Sequence, residues 1–180
     1  MENITNILIT GVPGVGKTTL ITRLCDALKE STVAGFFTIE IREEGMRKGF
    51  KLIGLDGREA LLSHVEIRSR FRVGKYGVDV RGFEEFLDAI DLEGSSAAII
   101  VIDEIGKMEC YSAKFRQLIG CLQDSRKIVI ATIAIKGDGF ISQIKQRPDA
   151  QLFEMTSGNR DSLVSDVMGQ VERILRQGKG

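Results

Sequence analysis

The sequence predicts an α/β fold: a mostly parallel central sheet covered by helices on both faces, with a small antiparallel β excursion. Three observations predict it. Short, predominantly apolar runs such as Ile7-Leu8-Ile9, Ala97 to Ile102 and Ile128 to Ile133 have the character of strands buried on both faces. Between them lie segments whose apolar residues recur at helical spacing, as in Phe83, Phe86, Leu87 and Ile90. The two kinds of segment alternate along the chain, the order that builds a parallel sheet.

The elements follow in order. Ile4 to Thr10 is the first strand, and Gly11 to Gly16 form the turn that ends it. Thr18 to Glu30 is a helix with Leu20, Ile21, Leu24, Cys25 and Leu28 along one side. Gly35 to Ile41 is a second strand. From Arg42 to Val80 the texture changes: Phe50 to Leu55 and Val65 to Val73 are short β-like runs, glycines punctuate them, and Asp56-Gly57 is a hairpin signal. This is the antiparallel excursion, about residues 42–80, and it is rich in arginine. Helical spacing returns at Phe83 to Ile90, with Glu84, Glu85 and Asp88 on the opposite face. Ala97 to Ile102 is a central strand. Phe115, Leu118, Ile119 and Leu122 mark a helix that Ser112 is placed to cap. Ile128 to Ile133 is another buried strand, broken by Gly137 to Gly139. A short helix at Ile141 to Lys145 stops near Pro148, Leu152 to Met155 is a last short strand, and the final helix runs from about Asp161 to Leu175. The chain of 180 residues reads as one domain, 1–180, long enough for a real core.

Bulk properties narrow the partners. Formal net charge is zero, so no global electrostatic pull toward nucleic acid or an anionic membrane is expected. The longest apolar run is too short to span a bilayer, and the N-terminus lacks the basic stretch and apolar core of a signal peptide. Cys25, Cys110 and Cys121 form no C-x-x-C pair and are odd in number, which points to free thiols in a reducing cytosol. A cytoplasmic monomer is expected.

The chemistry sits in two stretches. Gly11-Val12-Pro13-Gly14-Val15-Gly16-Lys17-Thr18 fits G-x-x-x-x-G-K-[ST], the P-loop, and it stands between a strand and a helix as the pattern requires. Glycines let the backbone bring its N–H groups against phosphate oxygens, and the helix N-terminus adds partial positive charge. Lys17 can reach the β- and γ-phosphates, and the Thr18 hydroxyl can ligate Mg²⁺. The second stretch is the apolar strand leading into Asp103-Glu104, a Walker B arrangement at the carboxyl edge of the sheet. Asp103 can hold Mg²⁺, usually through water. Glu104 can orient or deprotonate an attacking water. Lys107, just beyond, adds charge near the γ-phosphate or is an ordinary loop lysine.

Five stretches resemble the THEP1 family of nucleoside-triphosphatases, also called cancer-related nucleoside-triphosphatases. They are Thr10 to Leu20, Gly35 to Arg42, Arg72 to Tyr76, Val101 to Glu109 and Ser157 to Asp161. Asp103-Glu104-Ile105-Gly106-Lys107-Met108-Glu109 is the most specific of them. The resemblance implies a RecA/kinase-like P-loop fold and Mg²⁺-dependent hydrolysis of ATP, GTP and other nucleoside triphosphates to diphosphate and phosphate. It also implies that nucleotide is bound by the P-loop with Thr19 behind it, and by Ile102 through Glu109.

Other readings stay open at this level. A nucleotide or small-molecule kinase could use the same scaffold, with the arginine-rich excursion closing over the phosphates. A nucleic-acid-binding regulator could use the triphosphate as a switch. Asp103-Glu104-Ile105-Gly106 also fits D-x-x-G of Ras-like GTPases, but Ile135-Lys136-Gly137-Asp138 lacks the asparagine of N-K-x-D, so weak base discrimination is expected. Arg42, Arg47 or Arg160 could serve as an arginine finger in cis or stand in solvent. Asn159 or Asp161 could cap the last helix, or their turn could approach the base or ribose. Arg68 to Arg72 is expected as a strand with alternating faces. His64, the single histidine, is expected to be structural or exposed rather than a catalytic base.

Overall fold

The structure, a computed structural model, describes residues 4–137 and 139–177. Asp138, the last member of the N-K-x-D imitation, lies outside the described residues.

β1 (Asn6–Thr10) is buried at every position and runs straight into the phosphate-loop turn. α1 (Lys17–Ala27) follows, burying Leu20, Ile21 and Leu24 as its spacing predicts. β2 (Val33–Glu43) is longer than the expected Gly35 to Ile41. It turns tightly at Glu44-Gly45, both at positive φ, into β3 (Met46–Gly54). Asp56-Gly57 makes the next hairpin as expected, leading to β4 (Glu59–His64). β5 (Arg72–Val73) and β6 (Tyr76–Val78) are short, and α2 (Val80–Ile90) buries Phe83, Phe86 and Leu87.

Two expectations fail in this stretch. Glu59–His64 is a strand that was not expected, whereas Val65 to Phe71 is loop, so of Arg68 to Arg72 only Arg72, which opens β5, lies in a strand. Along that loop and into β5, Ile67, Ser69, Phe71 and Val73 are half-buried while Glu66, Arg68, Arg70 and Arg72 are exposed. The two-residue alternation therefore reports which side of an extended chain faces the protein, not pairing into a ladder.

β7 (Ile99–Ile105) runs through Asp103 and Glu104 rather than stopping before them. A short 3₁₀ turn, Glu109–Tyr111, leads into α3 (Ala113–Gln123), capped by Ser112, whose Oγ accepts from the Phe115 N–H at 3.0 Å. β8 (Ile128–Ile133), α4 (Phe140–Lys145), β9 (Ala150–Glu154) and α5 (Leu163–Gln177) complete the order. Asn159 does not cap α5 with its side chain. Its Oδ1 accepts from the Thr156 N–H at 2.8 Å and its Nδ2 donates to the Glu154 carbonyl at 2.9 Å, tying down the turn after β9. His64 is half-buried, its Nδ1 accepting from the Glu66 N–H at 3.3 Å, a structural position as expected.

Among the described residues one sheet has the order β5-β6-β4-β3-β2-β7-β8-β1-β9. β2, β7, β8, β1 and β9 are parallel, and β3 to β6 extend the same sheet antiparallel from β2. The excursion is thus a continuation of the sheet rather than a separate layer. Because strand side chains alternate, each buried strand feeds two cores. Ile7, Ile9, Ile99 and Val101 pack with α1 and α5, whereas Leu8, Ile100 and Ile102 pack with α2 and α3. The second core is centred on Phe36, whose ring meets Phe83, Phe86 and Phe115 edge-on at 6.1, 5.7 and 6.4 Å. Between β2 and β7 the backbones approach closely at Gly35, which has φ 148° and where any Cβ would strike the Val101 carbonyl. No helix among the described residues is long and apolar enough to cross a membrane.

Candidate active site

The site forms at the carboxyl edge of the parallel strands, where ligands of open α/β sheets bind. The phosphate loop is shaped by glycine: Gly14 has φ 79° and Gly16, directly before α1, has φ 109°. Both angles lie where a side chain would strain the backbone. No side chain caps α1 and its first turn holds no acidic residue, which leaves its first amides turned toward a ligand. Lys17 Nζ lies back over the loop, 3.0 Å from the Gly11 carbonyl and 3.5 Å from that of Val12.

Asp103 is 3% exposed and held from three sides. The Thr18 hydroxyl donates to its Oδ2 at 2.6 Å, the Thr132 hydroxyl donates to its Oδ1, and the Thr38 hydroxyl donates to its backbone carbonyl at 2.7 Å. Burial pushes the Asp103 carboxyl above its usual range, and the two hydroxyl donors and Lys17 pull the other way. Glu104 stands beside it with Oε2 4.0 Å from Lys17 Nζ. Burial raises its pKa too, opposed by Lys17 and reinforced by Asp103. The predicted pair and the predicted lysine therefore meet.

Three groups were not anticipated as part of this cluster. Thr132 is fully buried near the end of β8, and its one signal was a hydroxyl within the apolar run Ile128 to Ile133. Thr38 gave no signal. Glu109, expected only as part of the nucleotide-binding stretch, is 4% exposed. A Cβ on Gly106 would lie 2.8 Å from both Glu104 Oε1 and Glu109 Oε2, so the two carboxylates flank that glycine. Burial, then the charge of Glu104, lifts the Glu109 carboxyl to about 8.

The rest of the expected stretch divides. Ile102 and Ile105 are fully buried in the α2/α3 core and Met108 packs against it, so their side chains face away from the loop. Lys107 is exposed. Val12 is 55% exposed, and Pro13 is exposed beside it. Arg42 and Arg47 are committed elsewhere: both bind Glu40, and Arg47 Nε donates to the Tyr76 hydroxyl at 2.9 Å.

A family model described as NTPase matches residues 6–168. A nucleoside-triphosphatase THEP1 of Thermotoga petrophila is 46% identical over 164 residues, covering 90% of each chain. The chain belongs to the THEP1 nucleoside-triphosphatase family. Two solved THEP1-family structures are similar throughout. The crystal structure of THEP1 from Aquifex aeolicus has a TM-score of 0.81 at 38% identity, covering 90% of this chain and 96% of that one. The solution structure of a human cancer-related nucleoside triphosphatase has a TM-score of 0.79 at 34% identity, covering 96% and 98%. The fold is accordingly the α/β P-loop fold.

In this THEP1-family chain a cleft of about 320 Å³ opens on the other side of the phosphate loop. Val15, Gly16, Thr19, Leu20, Arg23, Met155, Arg160 and Asp161 line it. Arg160, one of the finger candidates, belongs to this cleft and not to the Asp103–Glu104 cluster. A second cleft of about 380 Å³, between β4 and α2, contains none of the expected site residues.

Proposed function

We propose that the protein hydrolyses nucleoside triphosphates, ATP and GTP among them, to diphosphate and phosphate. The observation that carries this reading is the meeting of Thr18 with Asp103 and of Lys17 with Glu104 at one edge of the sheet. The names of the relatives support hydrolysis rather than transfer to another acceptor or a nucleic-acid switch.

The donor set suits Mg²⁺. One hydroxyl and one carboxylate are hard oxygens, and Mg²⁺ takes few protein ligands while keeping waters and substrate phosphates. Thr18 and Asp103 would hold it, and when bound it neutralises charge on the β- and γ-oxygens. The phosphate-loop amides and Lys17 bind and orient the triphosphate. Thr132 and Thr38 hold the Asp103 carboxylate and backbone in place. Glu104 takes a proton from the attacking water at its carboxylate, and its raised pKa brings its basicity closer to neutral pH. The rate gain comes mainly from positioning and fixed charge. Lys107 is assigned here to charge support at the rim of the site. We place the protein in the cytoplasm, consistent with three free cysteines.

Steady-state phosphate release across ATP, GTP, CTP, UTP and their deoxy forms, with Mg²⁺ and no acceptor, tests the reading. Turnover is expected for all, lost in Lys17→Ala. Release that requires an added acceptor would overturn it.

A further inference from the structure

A carboxylate that takes a proton from water needs a fixed direction, and Lys17 faces only one oxygen of Glu104. We propose that Glu109 is a positioning residue for hydrolysis: its carboxyl group donates a hydrogen bond, directly or through one water, to Glu104 Oε1. The inference rests on the triphosphatase reading and goes beyond it by adding a residue that acts through Glu104.

Gly106 carries the geometry. A Cβ there would lie 2.8 Å from Glu104 Oε1 and 2.8 Å from Glu109 Oε2. The two oxygens converge on one point and are no more than twice that distance apart, which admits a direct hydrogen bond or one bridging water. The backbone makes the approach possible. β7 ends at Ile105, and the Cys110 N–H donates to the Gly106 carbonyl at 3.0 Å, closing the turn that brings Glu109 back beside Glu104. The other oxygen of Glu104, Oε2, lies 4.0 Å from Lys17 Nζ. Glu104 thus stands between a phosphate-binding cation and a second carboxyl group.

Two carboxyl groups this close and this far from water do not both ionise, because like charges repel strongly at low dielectric. Glu109 is the one that keeps its proton. It is 4% exposed, whereas the side chain of Glu104 is 36% exposed. Burial, then the negative charges of Glu104 and Asp103, push the Glu109 carboxyl up to about 8. Burial raises Glu104 as well, but there Lys17 opposes it. At neutral pH Glu109 is therefore an O–H donor and Glu104 an acceptor. The donor holds Oε1 and leaves Oε2, on the Lys17 side, toward the attacking water. The water's proton goes to Oε2, and Glu109 keeps its own throughout.

Steady-state kinetics of Glu109 variants of the full chain, with ATP and Mg²⁺, test the role. Glu109→Leu and Glu109→Met remove the donor, and kcat is expected to fall about 10- to 100-fold with KM nearly unchanged. Glu109→Gln still donates, and its kcat is expected to stay within about fivefold of wild type. Because Glu109 acts through Glu104, adding Glu109→Leu to Glu104→Gln is expected to cost less than about twofold more. The infrared band of a protonated carboxyl, present at pH 7 in wild type and lost in Glu109→Gln, reads the donor without turnover. It keeps the test decisive should both apolar variants fail to fold. A loss in Glu109→Gln as deep as in Glu109→Leu, an undiminished kcat in Glu109→Leu, a full further loss in the double variant, or no such band each overturns the proposal. With wild-type hydrolysis intact, any of these fails the proposal alone; absence of wild-type hydrolysis fails the triphosphatase reading first, and the proposal with it.

Discussion

The Thr18 hydroxyl and the Asp103 carboxylate, 85 residues apart in the chain, are joined by a 2.6 Å hydrogen bond. The helix after β1 and the interior of β7 meet there although β8 separates their strands in the sheet. β8 contributes to the same carboxylate through Thr132. Three elements thus converge on one buried acid, and the predictions below test what each contributes.

Glu104→Gln keeps the shape of the side chain and removes its basicity. Turnover is expected to fall about 10²- to 10⁴-fold, with nucleotide binding retained. Because burial raises the wild-type pKa, the acid limb of kcat should lie above the ordinary glutamate range, the rate falling as pH drops through it. The variant should lose that limb. Undiminished turnover in the variant would remove Glu104 from the chemistry.

Thr132→Val deletes one donor to a carboxylate that is 3% exposed. An unsatisfied buried group costs about 1–3 kcal/mol, so the denaturant midpoint should drop. The Mg²⁺ concentration for half-maximal turnover should rise as well, because Asp103 is less firmly aimed. Thr132→Ser, which restores the hydroxyl, should recover most of the metal dependence.

Glu109→Gln should change how stability depends on pH. The folded-state pKa is raised from 4.5 to about 8. Between those values the folded chain retains a proton that the unfolded chain has released, so stability falls as pH rises, by about 1.4 kcal/mol per unit at most. Below the window the effect is absent, and above it the loss is complete. The variant lacks this slope and should gain on wild type from pH 5 to 8. Urea melts across that range decide it: parallel slopes would mean that Glu109 is already ionised.

Phe36→Ala empties the centre of the α2/α3 core. The ring is fully buried and meets three other phenylalanines edge-on. A loss of about 3–5 kcal/mol is expected. Phe36 also pairs with Ile102, the residue before Asp103, so activity should fall at temperatures where the variant remains folded.

Much of the site was legible in the linear sequence. Gly11 to Thr18 encode their own backbone path, since glycine conformations and a helix start depend on neighbouring residues. An apolar run ending in acids marks a strand and its functional end equally locally. The excursion was harder. Val65 to Phe71 alternates like a strand and is a loop, while Glu59–His64 pairs with β3 without a strong pattern of its own. The tight turn at Glu44-Gly45 was missed because glutamate is not a usual residue at positive φ.

By itself the sequence determined the parallel α/β plan, the phosphate loop, the acid pair and the helix faces, because each depends on contacts within a few residues or on a simple period. Only the tertiary structure decided that β8 stands between β1 and β7, that Thr132 and Thr38 hold Asp103, and that Glu109 is buried beside Glu104. It also decided that Arg160 lines the cleft on the other side of the loop. These are matters of which distant strands pair and in what order, and pairing energy belongs to two segments at once, so neither segment alone can reveal it.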